Sequence, residues 1–131
     1  MQNSKIKKKI ITLIGPTACN KTSTAVHLIK KFPISIIGVD SVQIYKRFNI
    51  GSAKPPKEIL EKYKHHLVDS ADPENIFSVK DFYDQAYRIV MQAHSNNRIP
   101  LLVGGTMMYF NALFKGINDI PEGNEAIREE L

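Results

Sequence analysis

Lys9-Ile-Ile-Thr-Leu-Ile14 runs straight into Gly15-Pro-Thr-Ala-Cys-Asn-Lys-Thr22, and this junction decides the fold. An apolar run rich in β-branched residues reads as a strand, and a glycine-headed turn behind it breaks the strand and opens a helix. Residues 22–32 continue with Val26, Ile29 and Phe32 at helical spacing, and Pro33 stops the helix. A second apolar run, Ile34-Ser-Ile-Ile-Gly-Val39, ends in Asp40-Ser-Val-Gln43. A third, Ile99-Pro-Leu-Leu-Val103, ends in Gly104-Gly-Thr106. Near-continuous apolar strands are those covered on both faces, as in parallel sheets. If the three runs are parallel, their turns open on one rim, which is where open α/β sheets bind ligands.

The remaining chain fits that frame. Gly51-Ser-Ala-Lys-Pro-Pro56 reads as a loop, residues 57–64 as a short helix and residues 66–68 as a short strand before the turn Asp69-Ser-Ala-Asp-Pro73. Ser78 and Asp81 match a capping box. Behind them Val79, Phe82, Ala86, Ile89, Val90 and Ala93 form the buried stripe of a long helix that Asn96-Asn97 ends. Residues 107–115 read as a helix stopped by Gly116. Asn124 reads as an N-cap, with residues 125–131 starting a helix that has acids in its first turn. Strand–helix alternation predicts right-handed βαβ units and a P-loop-type α/β sheet of three or four parallel strands with flanking helices. The expected organisation is a single domain over residues 1–131. Residues 1–8 form a basic tail, and residues 117–131 begin a further C-terminal part that the sequence does not carry.

Composition narrows the class. The 131 residues are 43% hydrophobic and 24% charged, ordinary for a globular domain with a real core. No apolar run approaches the ~20 residues that span a bilayer. The N-terminus is basic without the apolar core of a secretory signal. Cys19 is the single cysteine, so no intrachain disulfide forms, and a reducing, cytosolic setting is expected. The net charge of +5 is uneven: residues 1–39 hold seven lysines and no acid, whereas residues 115–131 hold five acids against Lys115 and Arg128. A basic front half suits a polyanion such as nucleic acid, although a merely solvated lysine surface explains the same charge.

Gly15, Lys21 and Thr22 fit the phosphate-loop pattern of glycine, four residues, glycine, lysine and a hydroxyl residue, with Asn20 in place of the second glycine. Such a loop curls so that several backbone N–H groups face one anion, and asparagine is the type after glycine that best tolerates positive φ. A working but weakened cradle is expected, with Lys21 neutralising phosphate oxygens and Thr22 ligating Mg²⁺. Cys19 lies where a helix N-terminus favours a thiolate, and an inert small filler suits the position equally.

The ordered set Gly15-Pro-Thr-Ala-x-x-Lys-Thr22, Val39-Asp-Ser-Val-Gln-Ile-Tyr45, Ile50-Gly-Ser-Ala-Lys-Pro55, His65-His-Leu-Val-Asp69, Phe77-Ser78 with Asp81-Phe82, and Pro100-Leu-Leu-Val-Gly-Gly-Thr106 resembles the tRNA dimethylallyltransferases, also called tRNA isopentenyltransferases. The resemblance runs from about Lys9 to Arg128. It implies a fold like that of the P-loop kinases. It also implies transfer of a dimethylallyl group from dimethylallyl diphosphate to N6 of adenosine 37, beside the anticodon of a tRNA. By the same resemblance Gly15, Pro16, Thr17, Ala18, Cys19, Asn20, Lys21 and Thr22 hold the diphosphate. Asp40 is the catalytic base, assisted by Lys21 and Thr106. Asp40, Ser41, Val42, Gln43, Thr106 and Arg128 meet the tRNA. Mg²⁺ is the implied cofactor, the anticodon arm and dimethylallyl diphosphate are the partners, no membrane is involved, and a cytoplasmic monomer is expected. The family usually carries Ser-Gly where this chain has Cys19-Asn20, and its members are much longer.

Other readings compete. Asp40 also suits a cap at a strand end. Adjacent histidines such as His65 and His66 point to opposite faces of a strand, which favours a structural role over a metal site. Tyr45, Phe48, Tyr109 and Phe110 suit packing as well as base stacking. Asp69 and Asp72 read as turn residues, and Lys46, Arg47 and Lys54 as candidate contacts to phosphates. The alternative functions are an inactive remnant, a bare ATP- or other nucleotide-binding module, and a small-molecule P-loop kinase. The kinase would place an acidic Mg²⁺ partner at the end of a later strand, where this chain has Gly104-Gly-Thr106.

Overall fold

The computed structural model describes residues 9–15, 21–47, 54–118 and 125–130, with Asn118 and residues 125–130 as backbone alone. In chain order the elements are β1 (Lys9–Ile14), α1 (Lys21–Lys31), β2 (Ile34–Val39), α2 (Lys57–Lys62), β3 (His65–His66), α3 (Val79–Ser95), β4 (Ile99–Gly104), α4 (Met107–Asn118) and β5 (Glu125–Glu130). The strands form one sheet in the order β3-β2-β4-β1-β5, and every pairing is parallel. β4 enters between β1 and β2, so the chain first builds the two flanking strands and fills the centre later.

Register fixes the rim. Gly104 of β4 pairs with Ile14 of β1 on one side and Val39 of β2 on the other. The three strands therefore end abreast, and the turns behind them leave the sheet at one edge. The period of two along each strand sorts side chains to opposite faces. Ile37, Val39, Leu102 and Ile10 face α3 and α4, where Phe82, Ala86, Val90, Phe110, Leu113 and Ile117 complete a large core. Ile34, Ile36, Leu101 and Leu13 face α1, which contributes Ala25 with Leu28 and Ile29 beside it. Phe82 stacks on Tyr109 with ring centroids 4.2 Å apart, which couples α3 to α4.

Most of the predicted elements stand where the periodicity puts them. β1 and β2 match residue for residue, and Ser78 caps α3 through a complete capping box with Asp81. The second half of the chain brings corrections. α4 does not stop at Gly116 but continues to Asn118. Gly116 serves packing instead: a Cβ there would lie 2.3 Å from the Tyr83 ring. Residues 125–130 are a fifth strand rather than the start of a helix, paired along the whole of β1. Two helical turns hold few internal hydrogen bonds, whereas the free edge of β1 offers a full row of backbone partners. Among the described residues the sheet therefore has five strands, not three or four, and residues 125–130 belong to it. β3 occupies His65–His66 rather than residues 66–68, because Leu67 turns away at φ 62°. Phe32 lies past the end of α1 and is exposed rather than on its buried face.

Candidate active site

Three strand ends build one crevice of about 450 Å³. β1 supplies Ile14 with Gly15 just behind it, α1 supplies Lys21, the turn after β2 supplies Asp40, Ser41 and Val42, and the turn after β4 supplies Gly105 and Thr106, with Met107 opening α4. Lys21 and Asp40 thus share a single cleft, as parallel strands ending abreast require.

The turns are knitted to each other. The Gly15 N–H donates to the Gly104 carbonyl at 3.3 Å, and the Thr106 N–H donates to the Val39 carbonyl at 3.2 Å. Such closeness demands glycine in the β4 turn. A Cβ on Gly104 would stand 2.0 Å from the Val39 oxygen, and one on Gly105 would stand 3.0 Å from the Gly15 oxygen. Thr106 then bolts the two turns together: its Oγ1 accepts the Ser41 N–H at 2.9 Å and its hydroxyl lies 3.4 Å from Ser41 Oγ.

Asp40 combines two roles that sequence reading set against each other. Its Oδ1 accepts the N–H groups of Val42 at 2.8 Å and Gln43 at 2.9 Å, so it caps the turn that follows β2. That capping aims the carboxyl group, and its Oδ2 makes no hydrogen bond to any described residue. The same carboxylate lines the crevice. Across the cleft, Lys21 Nζ donates to the Gly15 carbonyl at 2.7 Å, which holds the ammonium beside the end of β1.

The other predicted residues fall as follows. Thr22 occupies the second position of α1, directly behind Lys21. Residues 16–20, and with them Pro16, Thr17, Ala18, Cys19 and Asn20, lie outside the described residues, as does Phe48. Arg128 stands on β5 opposite Thr12 of β1 rather than in a helix. Lys54 does not face outward: its side chain is 4% exposed and its Nζ meets Asp69 Oδ1 at 3.0 Å. Arg47 lies 3.6 Å from Asp72. Tyr109 and Phe110 are buried, and Tyr45 accepts the Phe77 N–H on its hydroxyl, so these rings pack. Burial holds the Tyr109 phenol above its ordinary range, with the Tyr45 and Asp40 charges adding to it. His65 and His66 are likewise structural. Burial lowers the pKa of both, and the Lys64 and Arg98 charges lower His66 further. Among the described residues no group of three or more His, Cys, Asp or Glu could hold a metal ion, and no helix is long and apolar enough to cross a membrane.

Sequence reading named Val42 only as a tRNA contact and did not name Met107, so the apolar side of the crevice went unread. Val42 and Met107 are large, exposed at 48% and 47%, and stand with Ile14 in its lining. The available signal was an apolar residue set directly behind each of two polar turns.

The comparisons with known proteins agree with this geometry. The chain is 45% identical over 122 residues to the tRNA dimethylallyltransferase of Dichelobacter nodosus, a match covering 93% of this chain and 38% of the relative. It is 43% identical over its full length to tRNA dimethylallyltransferase 2 of Hahella chejuensis, covering 40% of that protein. The crystal structure of the tRNA isopentenylpyrophosphate transferase of Bacillus halodurans superposes with a TM-score of 0.76 at 41% identity. That match covers 90% of this chain and 38% of the other. The chain thus spans about two-fifths of the length of the relatives it matches, and the fold is the P-loop-like parallel sheet expected. Residues 43–131 match the family model described as IPP transferase, and the chain belongs to that family.

Proposed function

We propose that this chain carries the prenyl-transfer centre of a tRNA dimethylallyltransferase, moving a dimethylallyl group from its diphosphate to N6 of adenosine 37 in the anticodon arm. The observation that carries the reading is the shared crevice, with an ammonium on one wall and an oriented carboxylate on the other. The names of the relatives support it.

The substrate's chemistry matches the lining. Dimethylallyl diphosphate is a short apolar chain on a strongly charged head. Lys21 suits the head, and Ile14, Val42 and Met107 suit the chain. The exocyclic adenine amine is a poor nucleophile because its lone pair is delocalised into the ring. As the N6–carbon bond forms, Asp40 Oδ2 accepts the N6 proton, a contribution of ~10²–10⁴-fold for a positioned general base. As the allylic C–O bond breaks, charge collects on the departing diphosphate, and Lys21 stabilises it there. Thr106 keeps the two turns in register. Flipping the adenine out of its stack costs a few kcal/mol, and the open crevice gives it a place to go.

Mg²⁺, when bound, would be held mainly by diphosphate and water, since magnesium retains several waters beside substrate phosphates. Thr22 is the protein donor assigned to it, and the ion, when bound, adds positive charge at the leaving diphosphate. In the same reading Ser41, Val42, Gln43 and Arg128 touch the tRNA, and the protein acts as a cytoplasmic monomer. Mass analysis of tRNA incubated with the chain and dimethylallyl diphosphate tests the activity. A gain of one prenyl unit is expected, lost in Asp40→Asn. Intact tRNA binding with no gain in mass would overturn it.

A further inference from the structure

A lysine inside a protein is costly unless its charge is matched, and burying such an ion pair adds little to stability by itself. Lys54 nevertheless places its side chain, 4% exposed, against Asp69 at 3.0 Å. Asp69 is the hub of a strained loop. Its own φ is 56° and that of the buried Leu67 is 62°, a conformation held only by the surroundings.

What that loop delivers is a row of donors to the turn beneath Asp40. The Asp69 N–H donates to the Gln43 carbonyl at 2.9 Å, and the N–H groups of Ser70 and Ala71 both donate to the Ile44 carbonyl at 2.8 Å. Gln43 in turn gives its N–H to Asp40 Oδ1 at 2.9 Å. A continuous chain of three hydrogen bonds therefore runs from the Lys54 ammonium through Asp69 and Gln43 to the Asp40 carboxylate.

We propose that Lys54 is a positioning residue, which through Asp69 and Gln43 sets the direction of the Asp40 carboxyl group in the crevice. The inference rests on the reading of Asp40 as the base, but its test does not. Amide hydrogen exchange is followed by NMR in the wild-type chain, in Lys54→Met and in Asp69→Asn. The second variant keeps the backbone bond and loses only the charge. Exchange at the Val42 and Gln43 amides is expected to quicken by about fivefold or more in both, the weight of one hydrogen bond. The amides of Val90 and Leu102, in the core away from the loop, keep their rates. In the transfer assay both variants lower kcat and leave KM for dimethylallyl diphosphate unchanged. Unchanged exchange at Val42 and Gln43, or a rise spread evenly over all amides, would overturn the proposal. Turnover retained in Asp40→Asn would instead remove the base reading and leave the exchange result standing.

Discussion

The carboxylate wall of the crevice, residues 40–44, is tied by Thr106 from one side and by the loop 67–71 from the other, and it stands over the large core shared by α3 and α4. The cationic wall rests on α1, whose single fully buried residue is Ala25 and whose neighbours Leu28 and Ile29 are half-buried. Among the described residues the first wall is tied by several hydrogen bonds over deep packing, whereas on the second Lys21 bonds to the Gly15 carbonyl and α1 packs through a thin apolar seam. The difference follows the chemistry each wall is proposed to perform. A general base must meet one proton at one angle, so its direction matters. A cation facing a diphosphate acts through a field that tolerates small displacements.

The sharpest way to break that comparison is through the chemistry itself. Asp40→Asn keeps the size of the side chain and removes the base. Transfer is expected to fall by ~10²–10⁴-fold while pyrophosphate affinity holds, measured by single-turnover kinetics and calorimetry. Lys21→Met should do the reverse, weakening pyrophosphate binding with little effect on the turn 40–44. The packing contrast comes next. Phe82→Ala opens a cavity under the carboxylate wall and should cost about 3–5 kcal/mol in urea unfolding, whereas Leu28→Ala in the α1 seam should cost less than half of that. Two glycines sharpen the point further. Gly104→Ala drives a methyl into the Val39 carbonyl, which belongs to the sheet and cannot step aside, so a loss of at least about 2 kcal/mol is expected. Gly116→Ala meets only the far end of the Tyr83 ring, which can swing away, so its loss should be under about 1 kcal/mol.

The smallest effect is that of pH. His65 and His66 are held below the ordinary 6.5 by burial. Above that value both the folded and the unfolded chain carry neutral imidazoles. As pH falls below it, the unfolded chain takes up protons first, so stability drops until the folded histidines titrate in their turn. Urea midpoints should therefore fall between about pH 7 and about pH 5.5, and a His65→Gln, His66→Gln double variant should flatten that slope.

The sequence was most legible where local chemistry and tertiary structure ask for the same thing. Ile10, Leu13, Ile34, Ile36 and Ile37 are buried, and the strands they announce have the expected bounds. Ser78 and Asp81 make the capping box that their spacing promises. Reading failed where a distant partner outweighed a local signal. Asn124 and the acids behind it resemble a helix start, but the open edge of β1 takes residues 125–130 as a strand. Gly116 resembles a stop, but the end of the Tyr83 ring packs over it and α4 runs on. Lys54 resembles a surface cation because nothing near it in the chain announces Asp69, fifteen residues away, as its partner. The crevice itself was legible in Gly15, Lys21, Asp40 and Thr106, since each lies in the segment that leaves an apolar strand or opens the helix behind it. Of its apolar members, Val42 was named only through the family resemblance and Met107 not at all, because a single exposed apolar residue carries no pattern.

The central claim is that the phosphate turn and the Asp40 turn face one ligand. The most direct measurement is an NMR titration of the chain with inorganic pyrophosphate. The amides of Lys21, Ser41, Gly105 and Thr106 are expected to shift together with one dissociation constant, and all four responses should weaken together in Lys21→Met. Shifts confined to Lys21 and its neighbours, with Ser41, Gly105 and Thr106 silent, would contradict it.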